Sequence, residues 1–88
     1  MEVEVKILNR LGLHARPAAL IAQRAGSFAS EIKLTHSNGS VADAKSILSL
    51  LMLGAPCGTT LTLATAGTDE NEAAAAICGL FEAKFDED

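Results

Sequence analysis

His14 and Arg16 stand two residues apart in the run Leu11-Gly12-Leu13-His14-Ala15-Arg16-Pro17-Ala18, at the entrance of an alanine-rich stretch. A neutral imidazole is a nucleophile, and an arginine is a permanently charged fork that can hold phosphoryl oxygens. Pro17 marks a first helical turn, where proline's missing N–H would have no intrahelical partner in any case. The free N–H groups and the positive dipole end of that helix then face His14. They favour a negatively charged adduct on the ring over an imidazolium. The expected chemistry is reversible phosphorylation of His14, with Arg16 steadying the phosphate and Ala15, Pro17 and Ala18 forming the helix mouth. The plain alternative, a solvated histidine ahead of a helix, leaves Arg16 and the Gly12 hinge without a purpose.

The elements that must position this pair follow from periodicity. Val3, Val5 and Ile7 alternate with Glu2, Glu4 and Lys6, as in a strand with one buried face. A loop, Asn9 to Gly12, leads into a helix from about Ala15 to Ala25, with Ala18, Ile21, Ala22 and Ala25 at core-facing spacing and Gly26 as its stop. Leu20 falls off that stripe. Residues 31–35 and 40–42 flank Ser37-Asn38-Gly39, where Asn-Gly signals a hairpin turn. Residues 46–53 form a short helix ended near Gly54, and residues 60–65 alternate as a fourth strand. Thr68 or Asp69 caps a last helix with Glu70 and Glu72 in its first turn and Ala73, Ile77, Leu80 and Phe81 facing inward. The order is βαββαβα, with the helices expected on one face of a four-stranded sheet.

Composition excludes several functional classes. Eighty-eight residues allow one small core, read as one domain over 1–88, and that core is aliphatic because the chain has three Phe and no Trp or Tyr. A formal net charge of -4 and the lack of a Lys/Arg run argue against nucleic acid as a partner. Met1-Glu2-Val3-Glu4 does not read as a signal peptide, and the longest apolar stretch, Ile47 to Leu53 interrupted by Ser49, is too short to span a bilayer. A cytoplasmic monomer without membrane insertion is expected. Cys57 and Cys78 are too isolated for a metal site, and both read as structural thiols. No metal or cofactor is called for.

The string Gly12-Leu13-His14-Ala15-Arg16-Pro17-Ala18 resembles the phosphorylation-site signature of the HPr family, the histidine-containing phosphocarriers of the bacterial phosphoenolpyruvate-dependent phosphotransferase system. Asp43-Ala44-Lys45-Ser46-Ile47-Leu48, followed by Leu53-Gly54, is similar to the family's second signature. The resemblance spans essentially the whole chain. It implies an α+β open-faced sandwich whose four antiparallel strands run in the order 1-4-2-3, with three helices on one face. It further implies that His14 takes phosphate on Nδ1 from phospho-Enzyme I, charged from phosphoenolpyruvate, and yields it to a histidine of a IIA component. Such a protein is a carrier in a relay and not a turnover enzyme. Leu50-Leu51-Met52-Leu53 and Phe85-Asp86-Glu87-Asp88 resemble the nitrogen-related branch, NPr, whereas Lys45-Ser46 is closer to the sugar-uptake branch. The balance leans to the nitrogen-related side.

The second helix carries too many apolar residues for a surface helix. If Leu50 and Leu53 face the core, then Leu48, Leu51 and Met52 face solvent. With Leu20 and Ile47 they are expected to form a docking face beside His14. Ser46 is the expected N-cap of this helix, and by resemblance a regulatory site for HPr kinase/phosphorylase. Arg24 and Lys45 are candidates for extra positive charge near the active face or ordinary solvated side chains, His36 reads as an exposed turn residue, and Asp86-Glu87-Asp88 as a frayed tail. Two other functions compete: regulation through Ser46 alone, and an acylphosphatase-like hydrolase. The hydrolase would use Arg16 but leave His14 idle, and its Gly-Val-Phe-Arg type of loop is missing here.

Overall fold

The computed structural model describes residues 1–87, in the order β1 (Glu2–Lys6), α1 (Ala15–Ala25), β2 (Glu31–His36), β3 (Val41–Asp43), α2 (Ile47–Leu51), β4 (Thr60–Ala66) and α3 (Glu70–Glu82). The four strands form one antiparallel sheet in the order β1-β4-β2-β3. Its register puts Val5 opposite Leu61, Val3 opposite Leu63, Leu63 opposite Leu34, and Leu34 opposite Ala42. Because side chains alternate across a strand, this register gathers Val5, Ile32, Leu34, Ala42, Leu61 and Leu63 on one face and leaves Glu4, Lys6, Thr60 and Lys33, with the exposed Val41, on the other. The buried face meets Ala18, Ile21 and Ala25 of α1, Leu50 of α2, and Ala73, Ala74, Ile77 and Phe81 of α3. The architecture is thus the open-faced α+β sandwich expected from the resemblance.

Most element boundaries agree with the periodicity, and the departures have local causes. α2 is shorter than residues 46–53 because Ser46 is its cap and the chain after Leu51 tightens into i→i−3 bonds from Leu53 to Leu50 and from Gly54 to Leu51. Gly54 then takes a positive φ of 59°, the usual way to end such a turn. Leu80, expected inward, is only partly buried, and Ala74 takes a fully inward place instead. Asp69 does occupy the N-cap position of α3, but its side chain makes no capping bond. Its carboxylate turns away to accept from the Ala29 and Ser30 N–H groups, each at 2.9 Å, and from the Ser30 hydroxyl. His36 sits at the end of β2, where its Nδ1 accepts from the Asn38 N–H in the hairpin.

The chain after α3 differs most from expectation. Lys84, Phe85 and Asp86 all have positive φ, at 53°, 54° and 58°. Each such residue with a side chain costs about 1 kcal/mol. Phe85 offsets this: it is fully buried and packs edge-on against Phe81 with ring centroids 5.0 Å apart. Burying a phenyl ring contributes about 2–3 kcal/mol, and the edge contact adds about 1 kcal/mol. The left-handed turn reverses the chain and sends Glu87 toward α1. Among the described residues, no helix is long and apolar enough to cross a membrane, and no cluster of His, Cys, Asp and Glu is placed to hold a metal ion.

Candidate functional site

His14 is the N-cap residue of α1, with extended backbone (φ -92°, ψ -168°), and its carbonyl accepts the first helical bond from Ala18 at 3.0 Å. That bond uses up the Ala18 N–H, and Pro17 has none. Of the expected helix mouth of Ala15, Pro17 and Ala18, only the Ala15 amide is left without an intrahelical acceptor, and the Arg16 amide joins it. Pro17 and Ala18 are buried and root the turn in the core, while Ala15 and Arg16 face outward. The ring of His14 is 35% exposed, so an incoming donor can reach it.

The loop ahead of the helix is built around close backbone approach. Gly12 has φ +74°, and a Cβ there would lie 2.9 Å from both the Ala55 carbonyl oxygen and the Pro56 Cα. A side chain is therefore excluded twice, by conformation and by space. The Leu13 N–H donates to that same Ala55 carbonyl at 3.0 Å, joining the base of α1 to the chain leaving α2. Asn9 is fully buried and donates through Nδ2 to the Gly12 carbonyl at 2.7 Å. Its Oδ1 is buried without a partner among the described residues.

The reading of Asp86-Glu87-Asp88 as a frayed tail is overturned at Glu87, while Asp88 lies outside the described residues. The Glu87 side chain is only 15% exposed. Its Oε1 accepts from His14 Nε2 at 2.8 Å and from Asn9 Nδ2 at 2.9 Å, and its Oε2 lies 3.5 Å from Arg16 Nη1. The bond from His14, helped by Asn9 and by the charges of His14 and Arg16, outweighs desolvation and holds the carboxyl below the usual glutamate range. Sequence reasoning missed both Asn9 and Glu87. The one available signal was the Phe81-Phe85 spacing, which continues the buried face of α3 and implies that the chain beyond it is anchored.

The other expected residues separate into two groups. Met52 is 77% and Leu48 70% exposed, with Ile47 and Leu51 exposed beside them, while Leu20 is half-buried against the core. The patch ends at Met52, three residues ahead of Ala55, whose carbonyl accepts from the Leu13 N–H. Ser46 lies at the other end of α2, where its Oγ accepts from the Ser49 N–H at 3.1 Å and the Ser49 hydroxyl accepts from the Asp43 N–H. Arg24 and Lys45 do not flank the site. Lys45 Nζ donates to the Phe28 carbonyl, and Arg24 lies 5.2 Å over the Phe28 ring, at the far end of a helix about 16 Å long. Cys57 is exposed and Cys78 partly buried, where desolvation, with help from Glu82, raises the Cys78 thiol pKa.

Fold and geometry together define a small α+β protein that presents one imidazole, flanked by a guanidinium and free amides, to solvent. Residues 1–83 match the family profile described as PTS HPr component phosphorylation site, and the chain belongs to this HPr family of phosphotransferase-system phosphocarriers. Phosphocarrier protein HPr of Cupriavidus necator is 45% identical over 87 residues, covering 99% of this chain and 97% of the relative. Phosphocarrier protein NPr of Klebsiella oxytoca is 42% identical over 84 residues, covering 96% of this chain and 93% of the relative. The crystal structure of HPr-C-His from Thermoanaerobacter tengcongensis has a TM-score of 0.93 at 43% identity, with coverage of 100% of this chain and 98% of that one.

Proposed function

We propose that this protein carries phosphate in the cytoplasm as a monomer, accepting it on His14 Nδ1 from phospho-Enzyme I and passing it to a histidine of a IIA component. One observation carries the assignment: His14 Nε2 is engaged by Glu87, and among the described residues nothing is bonded to Nδ1. An ionised carboxylate only accepts hydrogen bonds, so the neutral ring keeps its proton on Nε2 and its lone pair on Nδ1. In the transfer, that lone pair attacks phosphorus in line. The P–N bond to the donor histidine breaks, and its electron pair stays on the donor. Arg16 and the Ala15 and Arg16 amides then meet the phosphoryl oxygens.

The exposed Leu48, Leu51 and Met52, with Ile47 and Leu20 at the margins, supply the docking face for donor and acceptor. Met suits a surface that must fit two partners in turn. Ser46 is partly exposed at the end of this face, which supports its use as a regulatory phosphorylation site for HPr kinase/phosphorylase. Incubation with phosphoenolpyruvate and catalytic Enzyme I is expected to yield an acid-labile, base-stable phosphate that is absent in His14→Ala and forms more slowly in Arg16→Ala. A protein that takes no label from any Enzyme I of its host overturns the assignment. Offering the labelled protein to a sugar-type and a nitrogen-related IIA component assigns sugar uptake or nitrogen-related regulation by which one removes the phosphate.

A further inference from the structure

We propose that Glu87 is a positioning residue for phosphoryl transfer, holding the His14 ring in its Nε2–H form and balancing the positive charge the ring gains when Nδ1 is phosphorylated. This deepens the phosphocarrier reading and rests on it. The geometry divides the carboxylate into two jobs. Oε1 is fixed by two donors, His14 Nε2 at 2.8 Å and Asn9 Nδ2 at 2.9 Å, and Asn9 is itself buried and tied to the Gly12 carbonyl. Among the described residues, Oε2 meets only Arg16, at 3.5 Å, through a guanidinium that is 56% exposed. Arg16 can therefore turn to the incoming phosphoryl oxygens while Oε1 keeps the ring in place.

The proton balance needs no further group. Attack by Nδ1 forms one P–N bond and breaks another on the donor, while the Nε2 proton stays where it is, between the ring and Oε1. The ring becomes cationic as the P–N bond forms, and the neighbouring carboxylate opposes that charge in a partly desolvated setting. On transfer to the acceptor the same steps run in reverse order, and the ring returns to the Nε2–H form, ready for the next cycle. The left-handed turn at Lys84–Asp86 and the buried Phe85 explain how a residue 73 positions away is delivered to the ring.

The test uses the full chain labelled with 15N-histidine, at a pH where the ring is neutral. Wild-type His14 is expected to show a protonated Nε2 and an unprotonated Nδ1, with well-separated shifts. Glu87→Ala draws these shifts toward the tautomer mixture of free histidine and slows phosphoryl acceptance on the order of tenfold. Glu87→Gln keeps an acceptor oxygen but no charge, so it restores the 15N pattern and not the rate. Unchanged His14 signals in Glu87→Ala, or an unchanged rate, overturn the proposal. The two failures remain distinct: an unlabelled wild type sinks the phosphocarrier reading, whereas a labelled wild type whose His14 ignores the loss of Glu87 sinks this one.

Discussion

Asp69 and Glu87 each clamp a segment far away in sequence, Asp69 reaching back 39 and 40 residues to Ser30 and Ala29, and Glu87 reaching back 73 to His14. They grip opposite ends of the α1 region and differ in what they hold. Asp69 accepts from two backbone N–H groups and a hydroxyl, none of which titrates or leaves. Glu87 accepts from an imidazole and an amide side chain and faces a guanidinium, of which the first is the proposed phosphoryl acceptor and the last is 56% exposed. One clamp holds only backbone and a hydroxyl, and the other holds the side chains of the proposed phosphorylation site. The comparison teaches that a carboxylate's role is read from its donors: backbone donors make a fixed anchor, whereas ionisable side chains make one that can respond.

The hardest blow to the comparison comes from Phe85→Ala. Removing this buried ring is expected to cost about 3–4 kcal/mol in denaturant unfolding and to free Glu87 from His14, so both stability and phosphoryl acceptance fall together. Stability loss without any effect on the His14 end would mean that the turn does not deliver Glu87. Asp69→Asn is expected to do the reverse of Glu87→Ala, lowering the thermal midpoint while leaving the phosphorylation rate of the folded protein unchanged. Acid sharpens the same contrast. Hydrogen bonding from Ser30 and then Ala29 holds Asp69 below its ordinary pKa of 3.8, and the bond from His14 is the largest influence holding Glu87 below 4.5. With folded-state values depressed, each contribution to stability is complete above the ordinary pKa and drains away as pH falls through the lower folded value. Carboxyl 13C titration is expected to place each midpoint below those ordinary values, and a midpoint at or above them contradicts the contacts.

Smaller effects are expected along α2. Leu48→Asp and Met52→Glu leave the circular dichroism spectrum unchanged but slow transfer by about tenfold, as for charges introduced into a docking face. Unaltered rates with both Enzyme I and the IIA component would remove the docking face and leave only the His14 end as functional. Ser46→Ala loses a capping bond and costs about 1 kcal/mol in stability, without changing His14 phosphorylation, because Ser46 belongs to the far end of α2.

Local rules were enough for the strands, the three helices and the start of α1 after His14, though not for which amides of its first turn stay free. Alternation in residues 2–7 and 60–65, the apolar spacing of Ala18, Ile21 and Ala25, and Pro17 after Arg16 are each legible within one or two turns of chain. Strand order came from the family resemblance, since periodicity does not say which strand lies beside which. The exposed face of α2 was legible too, because a short apolar run over residues 46–53 with one core side cannot bury Leu48 and Met52 as well as Leu50 and Leu53. What tertiary structure decided was the partner of the His14 ring. Glu87 meets His14, and Asn9 meets Glu87, where the left-handed turn that buries Phe85 against Phe81 brings the chain back and Gly12 lets the loop close on Ala55. An acidic residue after a helix has no local mark separating a tail from an anchor; the difference lies in contacts dozens of residues away, where local pattern carries no information.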